Sequence, residues 1–293
     1  MARQIALLTN PVSGTGRAPR TAGMALHRLQ DAGLAVRRVE SRDAPEGLDA
    51  ARQAVADGVD ALVVVGGDGL VHVGVQAVVG SRTALGVVPA GAGNDLARAL
   101  GIPRSDPERA VDVVVGARAR RVDVGQCGDS SFVTVLAAGF DALVNERANA
   151  MRHPRGRLRY AVATLAELHA LRPRPYVLGL DGTVREVEAV LVAVGNGPSY
   201  GGGLRVAEGA RLDDGLLDVV VIGPVGRLDL VRTYPRLYTG GHTHHPRYEH
   251  HRVRSVSLAA AGVVAYADGE RLGPLPVTVE VRPGALEVLV PDE

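Results

Sequence analysis

A chain of 293 residues is long for one hydrophobic core and comfortable for two domains. With 46% apolar and 22% charged residues it has the makeup of a folded globular protein, which excludes disorder. All 33 basic residues are arginine against 32 acidic ones, so the net charge is only +1 and coating of nucleic acid is not expected; the lack of lysine excludes a Walker A loop and Schiff-base chemistry.

In chain order the first half alternates between strand and helix periods. Ile5–Thr9 reads as a strand, Pro19–Ala32 as a helix closed by Gly33, Leu34–Val39 as a strand and Pro45–Asp57 as a helix with proline in its first turn. Ala61–Val65 and Leu85–Val88 read as buried strands, Leu70–Val79 as a helix, and Asn94–Leu100 as a helix ended by Gly101. Such alternation predicts a parallel sheet covered on both faces. After Cys127 strand follows strand: Phe132–Ala137, Tyr176–Leu180, Glu188–Val194, Leu217–Ile222, Val253–Leu258, Val263–Ala267, Val277–Val281 and Leu286–Val290, with only Leu143–Met151 and Leu158–Leu171 helical. Asp181-Gly182 is a hairpin signal. The prediction is an α/β domain over residues 1–127 and a mainly antiparallel β domain over 128–293.

Cys127 is the sole cysteine, so no internal disulfide forms and a reducing compartment is expected. No apolar leader is evident, and the longest nearly apolar stretch, Leu258–Ala267, is far short of the roughly 20 residues that span a bilayer. The expected location is cytoplasmic.

Three glycine-rich turns each follow a predicted strand: Asn10-Pro11-Val12-Ser13-Gly14, Gly66-Gly67-Asp68-Gly69, and Gly91-Ala92-Gly93-Asn94-Asp95. In an open parallel sheet these loops share the carboxyl edge, where ligands bind, and glycines let backbone N–H groups close on an anion. One such turn is ordinary βα geometry; three at one edge point to a phosphate cradle. Asp68 repels phosphate unless it works through Mg²⁺ or takes a proton from a nucleophile; otherwise it caps the following helix.

These three blocks, with Gly139-Phe140-Asp141-Ala142, Gly195-Asn196, Tyr200-Gly201-Gly202-Gly203, Asp213-Asp214-Gly215-Leu216-Leu217-Asp218 and Asp268-Gly269-Glu270, resemble the diacylglycerol kinase catalytic domain family, which includes bacterial soluble lipid kinases and the sphingosine kinases. The resemblance spans nearly the whole chain. It implies a nucleotide-binding α/β domain and a β-sandwich with the active site between them, the last residues being free to return to the first domain. It implies ATP phosphates on Asn10–Gly14 and on Gly66, Gly67, Gly69, Leu70, Val71, His72 and Val73, with Gly91, Ala92, Gly93 and Asn94 on the adjoining loop and Ser41 as a third contact. It implies Asp68 and Glu270 as catalytic residues, Glu270 accepting the proton of the lipid hydroxyl. It further implies a structural Mg²⁺ on the Asp214 side chain and the carbonyls of Arg211 and Leu216, linked to Asp68 through water. The chain departs from the family at Leu70 and Ala92, where threonine is usual, and at Val73, where glutamate is usual.

The expected activity is ATP- and Mg²⁺-dependent phosphorylation of a membrane lipid hydroxyl. Alternatives are a soluble-substrate kinase of the NAD-kinase kind and a non-catalytic nucleotide- or lipid-binding regulator. Seven arginines against one glutamate between Arg147 and Arg174 suggest peripheral contact with an anionic inner-membrane surface. His242, His244, His245, His250 and His251 read as a solvated loop, with zinc as the sharper alternative. A homodimer is left open, and the acceptor lipid is not specified.

Overall fold

The computed structural model describes residues 2–10, 17–151, 153, 162–163, 166–167 and 172–292. The first half alternates as expected: β1 (Gln4–Thr9), α1 (Arg17–Asp31), β2 (Ala35–Glu40), α2 (Ala44–Ala56), β3 (Ala61–Gly66), α3 (Asp68–Val78), β4 (Ala84–Pro89) and α4 (Asp95–Ala99). The strands β2-β1-β3-β4 pair in parallel. β3 and β4 are buried along their whole length, as strands covered on both faces must be.

Two further elements follow that the periodicity did not reveal. Helix α5 (Pro107–Gly116) starts at Asp106, whose side chain accepts from the Arg109 amide, with proline in the first turn. Strand β5 (Ala119–Cys127) then pairs antiparallel with β16 (Val277–Leu289).

The second half builds the expected antiparallel sandwich: β6 (Ser130–Phe132), β7 (Val135–Gly139), α6 (Phe140–Ala150), β8 (Arg174–Leu180), β9 (Thr183–Ala189), β10 (Leu191–Gly195), β11 (Leu217–Ile222), α7 (Arg227–Thr233), β12 (Tyr248–Val253), β13 (Ser255–Ala259), β14 (Val264–Ala267) and β15 (Glu270–Pro274). One sheet has the order β12-β11-β10-β7-β14-β15. The other continues the parallel sheet through β4-β16-β13-β8-β9, so a ten-stranded sheet runs through both halves. The facing sheets bury Phe132, Leu136, Tyr176, Leu178, Val192, Leu217, Val256 and Leu258 between them.

Several predicted strands are divided, each for a local reason. The run 132–137 breaks at Val133 and Thr134, whose amides donate to the Asp268 carboxylate instead of a ladder. The run 253–258 breaks at Arg254, where the Arg254 and Ser255 amides donate to Asp181 Oδ1. The run 188–194 breaks at Val190, whose amide donates to the Ile222 carbonyl. Conversely, the two predicted strands at 277–281 and 286–290 form one strand, β16, whose register shifts between Arg282 and Leu286. The Asp181-Gly182 turn has both residues at positive φ (45° and 87°), the geometry of a two-residue hairpin, and pairs Leu180 with Thr183. Most of the predicted helix 158–171 lies outside the described residues.

Candidate functional site

Two of the three glycine turns meet backbone to backbone at the carboxyl edge of β3 and β4. The Ala90 amide donates to the Gly66 carbonyl at 2.8 Å. A Cβ on Gly91 would stand 2.4 Å from Gly67 Cα, so this approach is open only to glycine. Gly67 begins α3 without a side-chain cap, leaving the helix's first amides facing the edge. Residues 11–14, the remaining part of the predicted cradle, lie outside the described residues; Asn10 directly follows β1.

Asp68 does not cap its own helix. Its Oδ2 accepts from the Asn94 amide at 2.9 Å and its Oδ1 from the Asp95 amide at 2.8 Å. A carboxylate from one glycine loop thus caps the helix that follows the other. Gly93 must be glycine here, since a Cβ would fall 2.3 Å from Asp68 Oδ2. Asn94, at φ 55°, closes the turn by donating from its side-chain amide to the Gly91 carbonyl.

The loop is anchored across the molecule by its next residues. Asp95 Oδ2 accepts from the Gly202 amide at 2.8 Å, and the Arg98 guanidinium donates to the Gly202 carbonyl at 2.9 Å. Burial, with the Asp68 charge adding to it, pushes the Asp95 carboxyl above the usual carboxylate range, against the lowering effect of the Gly202 amide and Arg98.

Glu270 arrives from the other half. It opens β15 after the turn Asp268-Gly269, both at positive φ. Its Oε1 lies 3.2 Å from where a Cβ on Gly69 would stand, so an exposed carboxylate rests against the Gly67–Gly69 turn. The turn itself is pinned by Asp268, which accepts from the Val133 and Thr134 amides at 2.9 Å each and from the Thr134 hydroxyl. Two of the family departures are absorbed as packing: Leu70 folds back on Gly66, and Val73 is buried in the α/β core with Val71, while Ala92 is exposed. Ser41, implied as a nucleotide contact, is 1% exposed, its hydroxyl facing Gly47 and without a hydrogen-bond partner among the described residues.

Sequence reasoning missed a buried polar junction beside the site. Asp123 Oδ2 accepts from the Gly215 amide and Oδ1 from the Gly284 amide, both at 2.7 Å. Asn196, fully buried, donates to the Asp123 and Val133 carbonyls. Gly195-Asn196 carried a signal only as part of the family pattern; nothing marked Asp123.

The corner expected to hold Mg²⁺ is already neutralised by protein groups. Asp214 Oδ1 accepts from the Leu216 amide at 3.1 Å and its Oδ2 meets the Arg252 guanidinium. Arg252 Nε also reaches Asp218, at 3.8 Å. Asp213 is held by Arg120 at 2.6 Å, which keeps its carboxyl below the usual range. A divalent cation of this kind asks for near-octahedral oxygen ligands. A guanidinium seated between two carboxylates does not fit one.

The histidine-rich stretch is solvated only in part: His244 and His250 are exposed, but His242 is not. His242 is 1% exposed, 3.2 Å from the Val206 carbonyl and edge-on to the Tyr248 ring. His250 and His251 lie on β12, and His250 meets the buried Asp218 at 2.6 Å. Among the described residues no three His, Cys, Asp or Glu side chains converge as a metal would require.

Comparison with known proteins accords with this architecture. The diacylglycerol kinase catalytic domain model matches residues 4–127, and the YegS C-terminal NAD kinase beta sandwich-like domain model matches residues 134–290. The chain belongs to the diacylglycerol kinase family and is a lipid kinase by class. It is 42% identical to the diacylglycerol kinase of Mycobacterium tuberculosis (strain ATCC 25618 / H37Rv) over 98% of this chain and 95% of that one. It is 28% identical to the diacylglycerol kinase of Bacillus subtilis (strain 168), over 92% and 90% respectively. The fold is shared with the crystal structure of a diacylglycerol kinase from Bacillus anthracis str. Sterne, at TM-score 0.76 and 21% identity, covering 99% of this chain and 97% of that one.

Proposed function

We propose that this enzyme transfers the γ-phosphoryl group of ATP to the hydroxyl of a membrane lipid such as diacylglycerol. The observation that carries this reading is the placement of Glu270 against Gly69: an exposed carboxylate on the sandwich faces a glycine turn and an uncapped helix N-terminus on the α/β half. ATP is taken to arrive with its own Mg²⁺. Its phosphates lie along Gly66–Gly69, the first turn of α3 and the Gly91–Asn94 loop. The amides and the α3 dipole stabilise charge on the transferring group. Glu270 accepts the lipid hydroxyl proton, the hydroxyl oxygen bonds to the γ-phosphorus, and the bond to the bridging oxygen breaks to release ADP. Asp68 holds the two loops in register through the Asn94 and Asp95 amides and does not touch the phosphate.

The division near Cys127 then separates a nucleotide-binding half from a lipid-binding half. The test is transfer of labelled phosphate from ATP to a panel holding diacylglycerol, a sphingoid base, a polyprenol and NAD. Labelling of a lipid that Glu270→Gln abolishes supports the reading; labelling of NAD alone, or of nothing, overturns it.

A further inference from the structure

A kinase whose acceptor is a bilayer lipid must reach the membrane, yet no helix among the described residues is long and apolar enough to cross one. The segment after β11 offers a surface for the purpose. No residue of α7 is buried. Leu228 is 74% exposed, and Val231 and Tyr238 are each 51% exposed. With Pro235, also exposed, they recur at three- to four-residue spacing along α7 and the 3₁₀ turn Tyr234–Tyr238 that continues it. Isolated exposed apolar residues are ordinary, but a stripe of them on one short segment is not.

The charge around this stripe is mainly basic. Arg227, Arg232 and Arg236 flank it, all exposed, and among the described residues none of their guanidinium groups meets a carboxylate. The single acid, Asp229, is engaged by His245 at 3.0 Å. Of the other exposed valines among the described residues, Val162 is only 39% exposed, and Val177 and Val184 sit on β8 and β9. A cavity of about 690 Å³ opens beside Val177 with Glu186 and Glu188 among its lining residues, which an anionic surface would repel.

The stripe is also joined to the chemistry. The inner face of α7 packs through Leu230 on the cluster of Phe140, Val144 and Ala163, and α6 carries Glu146, ion-paired at 3.2 Å with Arg271 beside Glu270.

We infer that the outer face of α7 and the following turn is a membrane-docking surface, in which Leu228, Val231 and Tyr238 enter the headgroup region of an anionic bilayer while Arg227, Arg232 and Arg236 meet lipid phosphates. This rests on the lipid-kinase reading above for its purpose, and it places the docking surface outside the arginine-rich stretch from Arg147 to Arg174 that composition alone suggested. Apolar insertion and arginine attraction act together at such an interface, and the second is screened by salt.

The test is vesicle sedimentation of the full chain. Wild type is expected to bind phosphatidylglycerol-containing vesicles at least tenfold more tightly than pure phosphatidylcholine vesicles, with binding that falls as salt rises. Leu228→Ser/Val231→Ser and Arg232→Gln/Arg236→Gln should each weaken anionic-vesicle binding about tenfold or more without a change in melting temperature, because neither pair is buried. Phosphorylation of long-chain diacylglycerol in those vesicles should fall in step, while turnover of water-soluble dihexanoylglycerol stays at the wild-type rate. Wild-type-like vesicle binding by both variants overturns the inference. So does a dimeric wild type that becomes monomeric in Leu228→Ser/Val231→Ser, since a second copy would then be what covers the stripe. Failure of wild type to phosphorylate either diacylglycerol overturns the activity instead, and the sedimentation result still decides the docking surface.

Discussion

His72 Nδ1 stands 3.5 Å from Asp268 Oδ2, and both side chains are nearly shut off from solvent. The contact ties α3, which begins at the glycine turn, to the hairpin that presents Glu270. Gln76, one helical turn further along α3, extends the seam by exchanging hydrogen bonds with the Ser131 main chain. Asp268→Ala should therefore do more than remove one charge: it leaves the Val133 and Thr134 amides without acceptors, at about 1–3 kcal/mol for each unsatisfied group. The expected outcome is a lower melting temperature together with a fall in kcat, whereas His72→Ala lowers kcat with little loss of stability. Calorimetry and transfer assays on both variants check this, and a stable, fully active Asp268→Ala would contradict it.

Asp68→Asn is expected to cut transfer by more than a hundredfold, since the variant offers one oxygen and an NH₂ group where two amides now donate. Turnover within about tenfold of wild type, roughly 1.4 kcal/mol, would mean that the loop holds its shape without this carboxylate.

Glu270→Gln should lower kcat with little change in ATP affinity, because a proton acceptor contributes in the transition state and not in nucleotide binding. ATP binding by calorimetry beside single-turnover transfer separates the two. A matching loss of ATP affinity would make Glu270 a nucleotide contact.

Asp214 and Arg252 give a prediction about metal. With Arg252 seated on Asp214 and near Asp218, stability should not depend on Mg²⁺, and EDTA should leave the melting temperature of the nucleotide-free protein unchanged. Arg252→Met should lower it by leaving the half-buried Asp214 and the buried Asp218 short of their cation. A drop on adding EDTA to wild type would show that a metal holds the corner after all.

The pH dependence of stability has one contributor whose sign is clear. Burial raises the Asp95 carboxyl above its ordinary value near 3.8, so the folded chain binds this proton more tightly than the unfolded chain. The stability that goes with it is fully present below pH 3.8 and is lost as pH rises through the raised value. Asparagine mimics the neutral acid. The melting-temperature penalty of Asp95→Asn relative to wild type should therefore be smaller at pH 7 than at pH 4, and a penalty that grows with pH would reverse the assignment.

Much of the architecture could be read from period and punctuation, because β1, β3 and β4 are short apolar runs between glycine-marked helices. The glycine turns likewise announced themselves through composition. Helix α5 was overlooked although Asp106-Pro107-Glu108 is a start signal, since only Ala110, Val111 and Val114 are buried in it and the stripe is thin. The divided strands could not be foreseen: what divides them is an acceptor distant in sequence, the Asp268 carboxylate for Val133 and Thr134 and the Ile222 carbonyl for Val190, taking amides that local pattern assigns to a ladder. The role of Asp68 was hidden for the same reason. Its neighbours in sequence suggest phosphate, and its neighbours in space are the Asn94 and Asp95 amides.

Strand β16 belongs to both halves: Val277–Leu258 and its neighbours pair it with β13, and further along Val288 pairs with Leu85 of β4 and Arg120 of β5. A ribosome making this chain completes β1 to β4 early, but the open side of β4 must wait for a partner encoded about two hundred residues later, a long and slow loop to close. During that interval the apolar edge of β4 is the place where a chaperone would hold the nascent chain, or where two chains would wrongly join. The two halves are accordingly joined by more than a linker: they share β16, whose register shifts between Arg282 and Leu286, where the Gly284 amide is tethered to Asp123.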